Sequence, residues 1–198
     1  MDSIARISRH FDESARLKSA SVEELAGPIA AAIDLVFGAL SNDRKLLACG
    51  NGGSAADAQH LAAELIGRYE RERPGLAAVA LTTDTSILTA VGNDYGFEDV
   101  FARQVRGLGQ PGDVLVAIST SGNSPNVLRA IEAAHQREMR VIALTGRGGG
   151  GIAGALRDGD IMLCVPHDRT ARIQEVHLLI VHCLCDGVDA MLLGAPED

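Results

Sequence analysis

Apolar residues recur every three or four positions through the first forty residues: Ile4, Ile7 and Phe11, then Val22, Leu25, Ile29, Ile33, Val36 and Leu40. That spacing predicts amphipathic helices over 1–42. Gly27-Pro28 falls inside the pattern, where a proline kinks or restarts a helix. Beyond this segment the pattern changes. Short runs that are apolar almost throughout, near 45–49, 76–81, 113–118, 140–144 and 160–165, alternate with helical stretches. Strands without a polar face belong to a sheet covered on both sides. The alternation predicts an α/β protein: a doubly wound, five-stranded parallel sheet flanked by helices, with an N-terminal helical extension. In such a sheet ligands bind at the carboxyl ends of the strands.

Two predicted strands empty into small glycine- and hydroxyl-rich loops at that edge. Leu46-Leu47-Ala48-Cys49 leads into Gly50-Asn51-Gly52-Gly53-Ser54, and Val114-Leu115-Val116-Ala117-Ile118 leads into Ser119-Thr120-Ser121-Gly122-Asn123-Ser124. Backbone N–H groups and hydroxyls converging at a helix N-terminus make a site for an anion. Neither loop ends in Gly-Lys-Ser/Thr, and neither completes Gly-x-Gly-x-x-Gly with a following acidic ribose contact, so a monophosphate fits better than a nucleotide. An ordinary strand-to-helix turn, with Ser124 as N-cap and Pro125 as first helical residue, accounts for one loop alone. The presence of two favours the anion site.

Composition narrows the class. With 198 residues, 46% of them hydrophobic, and no Pro- or Ser-rich linker, the chain reads as one domain over 1–198. Its net charge of −8 carries no basic block, which disfavours nucleic acid and anionic membranes as partners. Cys49, Cys164, Cys183 and Cys185 sit in apolar runs, as reduced core cysteines of a cytoplasmic protein do, and Cys183-x-Cys185 lacks the spacing of a zinc knuckle. The N-terminus has no apolar signal core, and no uninterrupted apolar run is long enough to span a bilayer.

Candidate chemistry lies on two helices. His60 and Glu64, four residues apart after the first loop, suit two ligands of one metal or a base beside its partner. The same spacing suits a solvated face in which Glu64 pairs with Arg68. In the last helix, Arg172-Ile173-Gln174-Glu175-Val176-His177 precedes His182, and in so apolar a helix a histidine is more often a satisfied core residue than a ligand. Spacing alone leaves both open. Gly148–Gly151 reads as a flexible turn rather than a lid, His10, His135 and His167 as surface or structural, and Arg68 with Arg71–Arg73 as a solvated charge cluster.

The run Cys49 to His60, Ala80-Leu81-Thr82-Thr83-Asp84, Gly92-Asn93-Asp94-Tyr95, Ile118 to Ser124 and Arg172 to His177 resemble sugar isomerase (SIS) domain proteins over nearly the whole chain. Within them the likeness is to bacterial phosphoheptose isomerases. That resemblance implies an aldose-ketose isomerase converting sedoheptulose 7-phosphate to D-glycero-D-manno-heptose 7-phosphate for lipopolysaccharide core heptose. It implies Asn51, Gly52, Gly53, Ser54, Asn93 and Asp94 at the sugar, and Ser119, Thr120, Ser121 and Ser124 at its phosphate. It further implies one zinc ion per subunit held by His60, Glu64, Gln174 and His182, with Glu64 and Gln174 also touching substrate and Glu64 and His182 as acid/base residues. A homotetramer is implied too. On a straight helix Gln174 and His182 lie about 12 Å apart along the axis, whereas zinc ligands meet within about 2.2 Å of the ion. At least one ligand is therefore expected from a neighbouring subunit. The chain also resembles the DnaA initiator-associating protein, a non-enzymatic SIS relative whose partner would be DnaA. That branch lacks the residues matching Glu64 and His182, so their presence here favours the enzyme. A sugar-phosphate sensor is a third reading.

Overall fold

The protein is described here from a computed structural model covering residues 2–194; Met1 and 195–198, the ends of the expected domain, lie outside the described residues. The first element, α1, runs unbroken from Ser3 to Ser41, capped by the Asp2 carboxylate, which accepts from the backbone N–H groups of Ile4 (3.0 Å) and Ala5 (3.3 Å). The break or restart expected at Gly27-Pro28 is absent, and Pro28 sits inside one helix. A mid-helix proline costs about 3 kcal/mol. Here the burial of Leu25, Ala32, Val36 and Ala39 in the core, each large apolar side chain contributing roughly 1.5–3 kcal/mol, outweighs it.

Strand and helix then alternate. The order is β1 (Leu46–Gly50), α2 (Gly53–Ile66), β2 (Ala78–Ala80), α3 (Thr85–Asp94), α4 (Ala102–Leu108), β3 (Val114–Ser119), α5 (Pro125–Gln136), β4 (Arg140–Gly146), α6 (Gly150–Ala155), β5 (Ile161–Val165) and α7 (Thr170–Leu193). The sheet is five-stranded and parallel throughout, in the order β2-β1-β3-β4-β5. Period-two alternation splits each strand between two cores. Leu46, Ala48, Val114, Val116, Ile118, Ile142 and Leu144 face α1, α2 and α7. Leu47, Cys49, Leu115, Ala117, Val141 and Ala143 face α4, α5 and α6.

This topology positions the site. β1 and β3 are neighbours paired in register up to Gly50 and Ile118, yet β1 continues into α2 on one face and β3 into α5 on the other. The two loops part there and open a crevice at the topological switch point, where ligands of open α/β sheets bind. The opposite edge is closed by buried carboxylates. Asp113 accepts from the backbone N–H of Lys45 (3.0 Å) and Gln110 (2.8 Å) and pairs with the Lys45 ammonium. Asp160 accepts from the backbone N–H of Val141 (2.9 Å) and Arg157 (2.8 Å) and meets the His135 ring at 2.7 Å, which makes His135 structural.

α1 is tied to the start of α7 by buried Arg172, which donates to the His10 carbonyl (3.0 Å) and meets the His10 ring at 2.8 Å. Although no uninterrupted apolar run spans a bilayer, α1 and α7 both reach the length and mean hydropathy of a membrane-crossing helix. Here α7 contributes ten buried residues, from Arg172 to Asp189, to the protein's own packing.

Candidate active site

The first loop is shaped by its glycines. A Cβ on Gly50 would lie 2.7 Å from the Ser54 carbonyl oxygen, and Gly52, at φ +57°, takes the N-cap position of α2 without a side-chain cap. Only glycine turns here at no steric cost. The Ser54 N–H donates to the Asn51 carbonyl (3.0 Å), and Ala55 and Ala56 donate to Gly52. The space beside Gly53 is filled by the amide end of Gln174 from α7.

In the second loop, Ser124 occupies the N-cap position of α5 and Pro125 its first turn, yet the Ser124 hydroxyl makes no cap bond. It instead meets the Ser119 hydroxyl at 2.9 Å. These two hydroxyls thus meet at a helix N-terminus, an arrangement suited to phosphate, while the Ser121 hydroxyl accepts from the Asn123 N–H (3.2 Å). The glycine run expected to be a flexible turn is packed against this loop. Ile152 donates to the Gly122 carbonyl (2.9 Å) and Gly151 to the Asn123 side chain (2.8 Å), and a Cβ on Gly150 would stand 2.6 Å from the Ser121 carbonyl oxygen. The glycines permit backbone-to-backbone approach.

The third group forms between α2 and α7. His60 Nε2 lies 3.1 Å from Glu64 Oε1 and 3.3 Å from His182 Nε2. Arg68 pairs instead with Glu72, at 3.6 Å, so the solvated-face arrangement of Glu64 with Arg68 does not form. The Tyr69 ring flanks His182 at a centroid distance of 5.7 Å, and burial raises its phenol pKa. One turn before His60, Asp57 has a buried carboxylate oxygen with no hydrogen-bond partner; burial pushes its pKa up to about 6, moderated by His60. The end of α2 is clamped by Arg73, which donates to the carbonyls of Glu64 and Leu65, both at 2.9 Å, and pairs with Asp189 of α7. Arg73 is buried, correcting its assignment to a solvated cluster. His177 is a core residue: its ring meets the Thr145 carbonyl at 2.9 Å, and burial lowers its pKa to about 4.

Donors bound about 2.0–2.1 Å from a tetrahedral zinc stand roughly 3.3 Å from each other. The His60–Glu64 and His60–His182 separations match two edges of such a tetrahedron. Among the described residues no cluster of three or more His, Cys, Asp or Glu is assembled as a metal cage. Gln174 packs on Gly53, about 10 Å along α2 from His60 and about 12 Å along α7 from His182. Asn93 and Asp94 end α3, bonded to each other at 2.8 Å, and no hydrogen bond among the described residues ties them to either loop. In a single chain Gln174 therefore stands apart from His60 and His182, while Asn93 and Asp94 bond to each other.

Sequence reasoning missed Asn126, Tyr69, Asp57 and the clamp by Arg73. Asn126 carried a legible signal, a polar residue just inside the helix that follows the serine loop. The others depend on how α2 meets α7.

Residues 9–146 match the SIS domain family. Over 197 residues the chain is 66% identical to a phosphoheptose isomerase of Aromatoleum aromaticum, covering all of both chains. The structure of phosphoheptose isomerase GmhA from Neisseria gonorrhoeae superposes with a TM-score of 0.90 at 60% identity, covering 94% of this chain and 98% of that one. A phosphoheptose isomerase from Francisella tularensis gives 0.92 at 48%, covering 96% and 99%. The parallel sheet with its switch-point loops is thus that of a SIS domain. Within that class, the chain belongs to the phosphoheptose isomerase family.

Proposed function

We propose that this protein is an aldose-ketose isomerase that converts sedoheptulose 7-phosphate to D-glycero-D-manno-heptose 7-phosphate, for the heptose of lipopolysaccharide core. The observation that carries the reading is the meeting of Glu64 and His182 around His60, on the helix that starts beside a hydroxyl-lined phosphate loop. Moving a carbonyl from C2 to C1 requires a proton to leave C1 and return at C2 while another passes between the two oxygens. Glu64 carries the carbon-bound proton and His182 the oxygen-bound one, roles that each takes at a different stage from metal binding. Ser119, Thr120, Ser121 and Ser124 hold the phosphate, and the Asn51–Ser54 turn, with Asn93 and Asp94, holds the sugar.

His60, Glu64 and His182 would hold zinc, with Gln174 supplied across a subunit interface. When bound, the ion supplies positive charge that stabilises negative charge developing on the sugar oxygens. A homotetramer is supported by an unpartnered apolar surface: Ile4, Ile7, Phe11 and Val22 of α1 are exposed, and an apolar groove lined by Val22, Leu25, Ile29, Val176 and Leu179 runs between α1 and α7. A cytoplasmic location is supported by four unpaired cysteines, of which Cys49 and Cys185 are buried with thiol pKa values pushed up to about 12.

The test is turnover of sedoheptulose 7-phosphate by the purified protein, metal-free and zinc-supplemented, beside Glu64→Gln. Isomerisation by the wild type and its loss in a folded Glu64→Gln variant are expected. No turnover by a folded, zinc-loaded wild type would transfer the assignment to a non-enzymatic DnaA-binding scaffold.

A further inference from the structure

Asn51 and Asn126 lie 75 positions apart and face each other across the crevice between the two loops. Asn51 Nδ2 donates to Asn126 Oδ1 at 2.9 Å, and Asn126 Nδ2 donates to Asn51 Oδ1 at 2.8 Å. Asn126 is only 2% exposed. The β1–β3 ladder ends at the Gly50–Ile118 pair, beyond which the two chains part to opposite faces of the sheet. Beyond that ladder, the side-chain link between the 50–54 and 119–126 segments is this Asn51–Asn126 pair.

Each end of this bridge is anchored. Asn126 follows Pro125 in the first turn of α5, directly after the serine loop, and Pro125 fixes that turn's backbone. The Asn51 carbonyl accepts from Ser54 and so holds the first turn of α2, the helix that carries His60 and Glu64. Two antiparallel bonds between planar amides resist both separation and rotation, which one bond does not. The bridge engages the oxygen and one N–H of the Asn51 side chain, fixing its orientation and leaving its second N–H for the sugar.

We infer that Asn126 is a positioning residue for the isomerisation: acting through Asn51, it sets the start of α2, and with it His60 and Glu64, against the phosphate-holding serine loop. This rests on the isomerase reading above. Small misplacements of reacting groups cost up to about 100-fold in rate even when the groups themselves are intact.

The experiment compares steady-state isomerisation by the wild type, Asn126→Asp, Asn126→Leu, Asn51→Leu and the Asn51→Leu/Asn126→Leu double variant, with inorganic phosphate as competitive inhibitor and thermal unfolding as the folding control. Asp at 126 keeps one bond and sets oxygen against the Asn51 oxygen; Leu removes both bonds at similar volume. The expected result is a fall in kcat of about 10- to 100-fold in both Asn126 variants, with the phosphate inhibition constant within about twofold of wild type and the double variant no worse than Asn51→Leu. A merely structural role would weaken phosphate binding in step with kcat. Either that result, wild-type kcat in the Asn126 variants, or multiplicative losses in the double variant would overturn the inference. If Asn126→Leu does not fold, Asn126→Asp carries the test. An inactive wild type would overturn the isomerase reading and this inference with it, whereas an active wild type beside unaffected variants overturns the inference alone.

Discussion

Ser124 stands where a serine ordinarily caps a helix, yet its hydroxyl turns to Ser119. Replacing a serine that does cap costs about 1 kcal/mol. Ser124→Ala should therefore leave stability within about 0.5 kcal/mol while raising the substrate KM about tenfold, an amount equal to one lost hydrogen bond to a charged group. Urea unfolding and steady-state kinetics read the two effects separately. His177 answers to pH. Its folded pKa of about 4 lies below the ordinary 6.5, so between those values the unfolded chain binds a proton that the folded chain refuses. The resulting stability is present above about pH 6.5 and is lost as pH falls through about 4, amounting to roughly 3 kcal/mol. Asp57, with its pKa raised to about 6, has the opposite sign, since its ionisation costs stability as pH rises through that value. The difference between wild type and His177→Gln, followed by urea unfolding from pH 7.5 to 4, isolates the histidine and should shrink toward pH 4.

Between elements, the joint of α2 and α7 matters most, because it brings His60 and Glu64 against His182. Arg73 and Asp189 fasten that joint inside the protein. Arg73→Ala, which strands the Asp189 carboxylate, should cost about 3–5 kcal/mol, and an apolar pair, Arg73→Met with Asp189→Leu, should recover the part due to the stranded charge but not the donors lost to the Glu64 and Leu65 carbonyls; thermal unfolding of both variants checks this. Nothing in the sequence marks Arg73 for such a role. It lies among Arg68, Arg71 and Glu72, and only the return of α7 beside α2 gives it a buried partner 116 positions away. The strands were legible because burial on both faces writes itself into a sequence as unbroken apolar runs. The two loops were legible because tight turns and helix starts restrict residue type locally. The packed state of Gly148–Gly151 was not, since a glycine needed for close approach looks like a glycine needed for freedom. Relative positions of Gln174, Asn93 and Asp94 likewise depend on tertiary arrangement rather than on any local pattern.

On the scale of the molecule, one chain places Gln174 beside Gly53 and apart from His60 and His182, which the proposed zinc site needs it to join. Phe11 is 73% exposed on α1, among other unburied apolar side chains. Phe11→Glu should lower the assembled fraction in sedimentation velocity and reduce turnover along with it, leaving the far-UV spectrum of the subunit unchanged. α1 itself carries one more consequence. Pro28 has no N–H to offer the carbonyl of Glu24, so the ladder of α1 lacks a rung between a C-terminal half bedded on the core through Ala32, Val36 and Ala39 and an N-terminal half whose buried residues are Leu17, Ser21 and Leu25. The rod is continuous in shape but missing one rung, so its N-terminal half is held to the rest of the molecule chiefly by side chains, foremost the grip of buried Arg172 on His10, rather than by an unbroken backbone ladder.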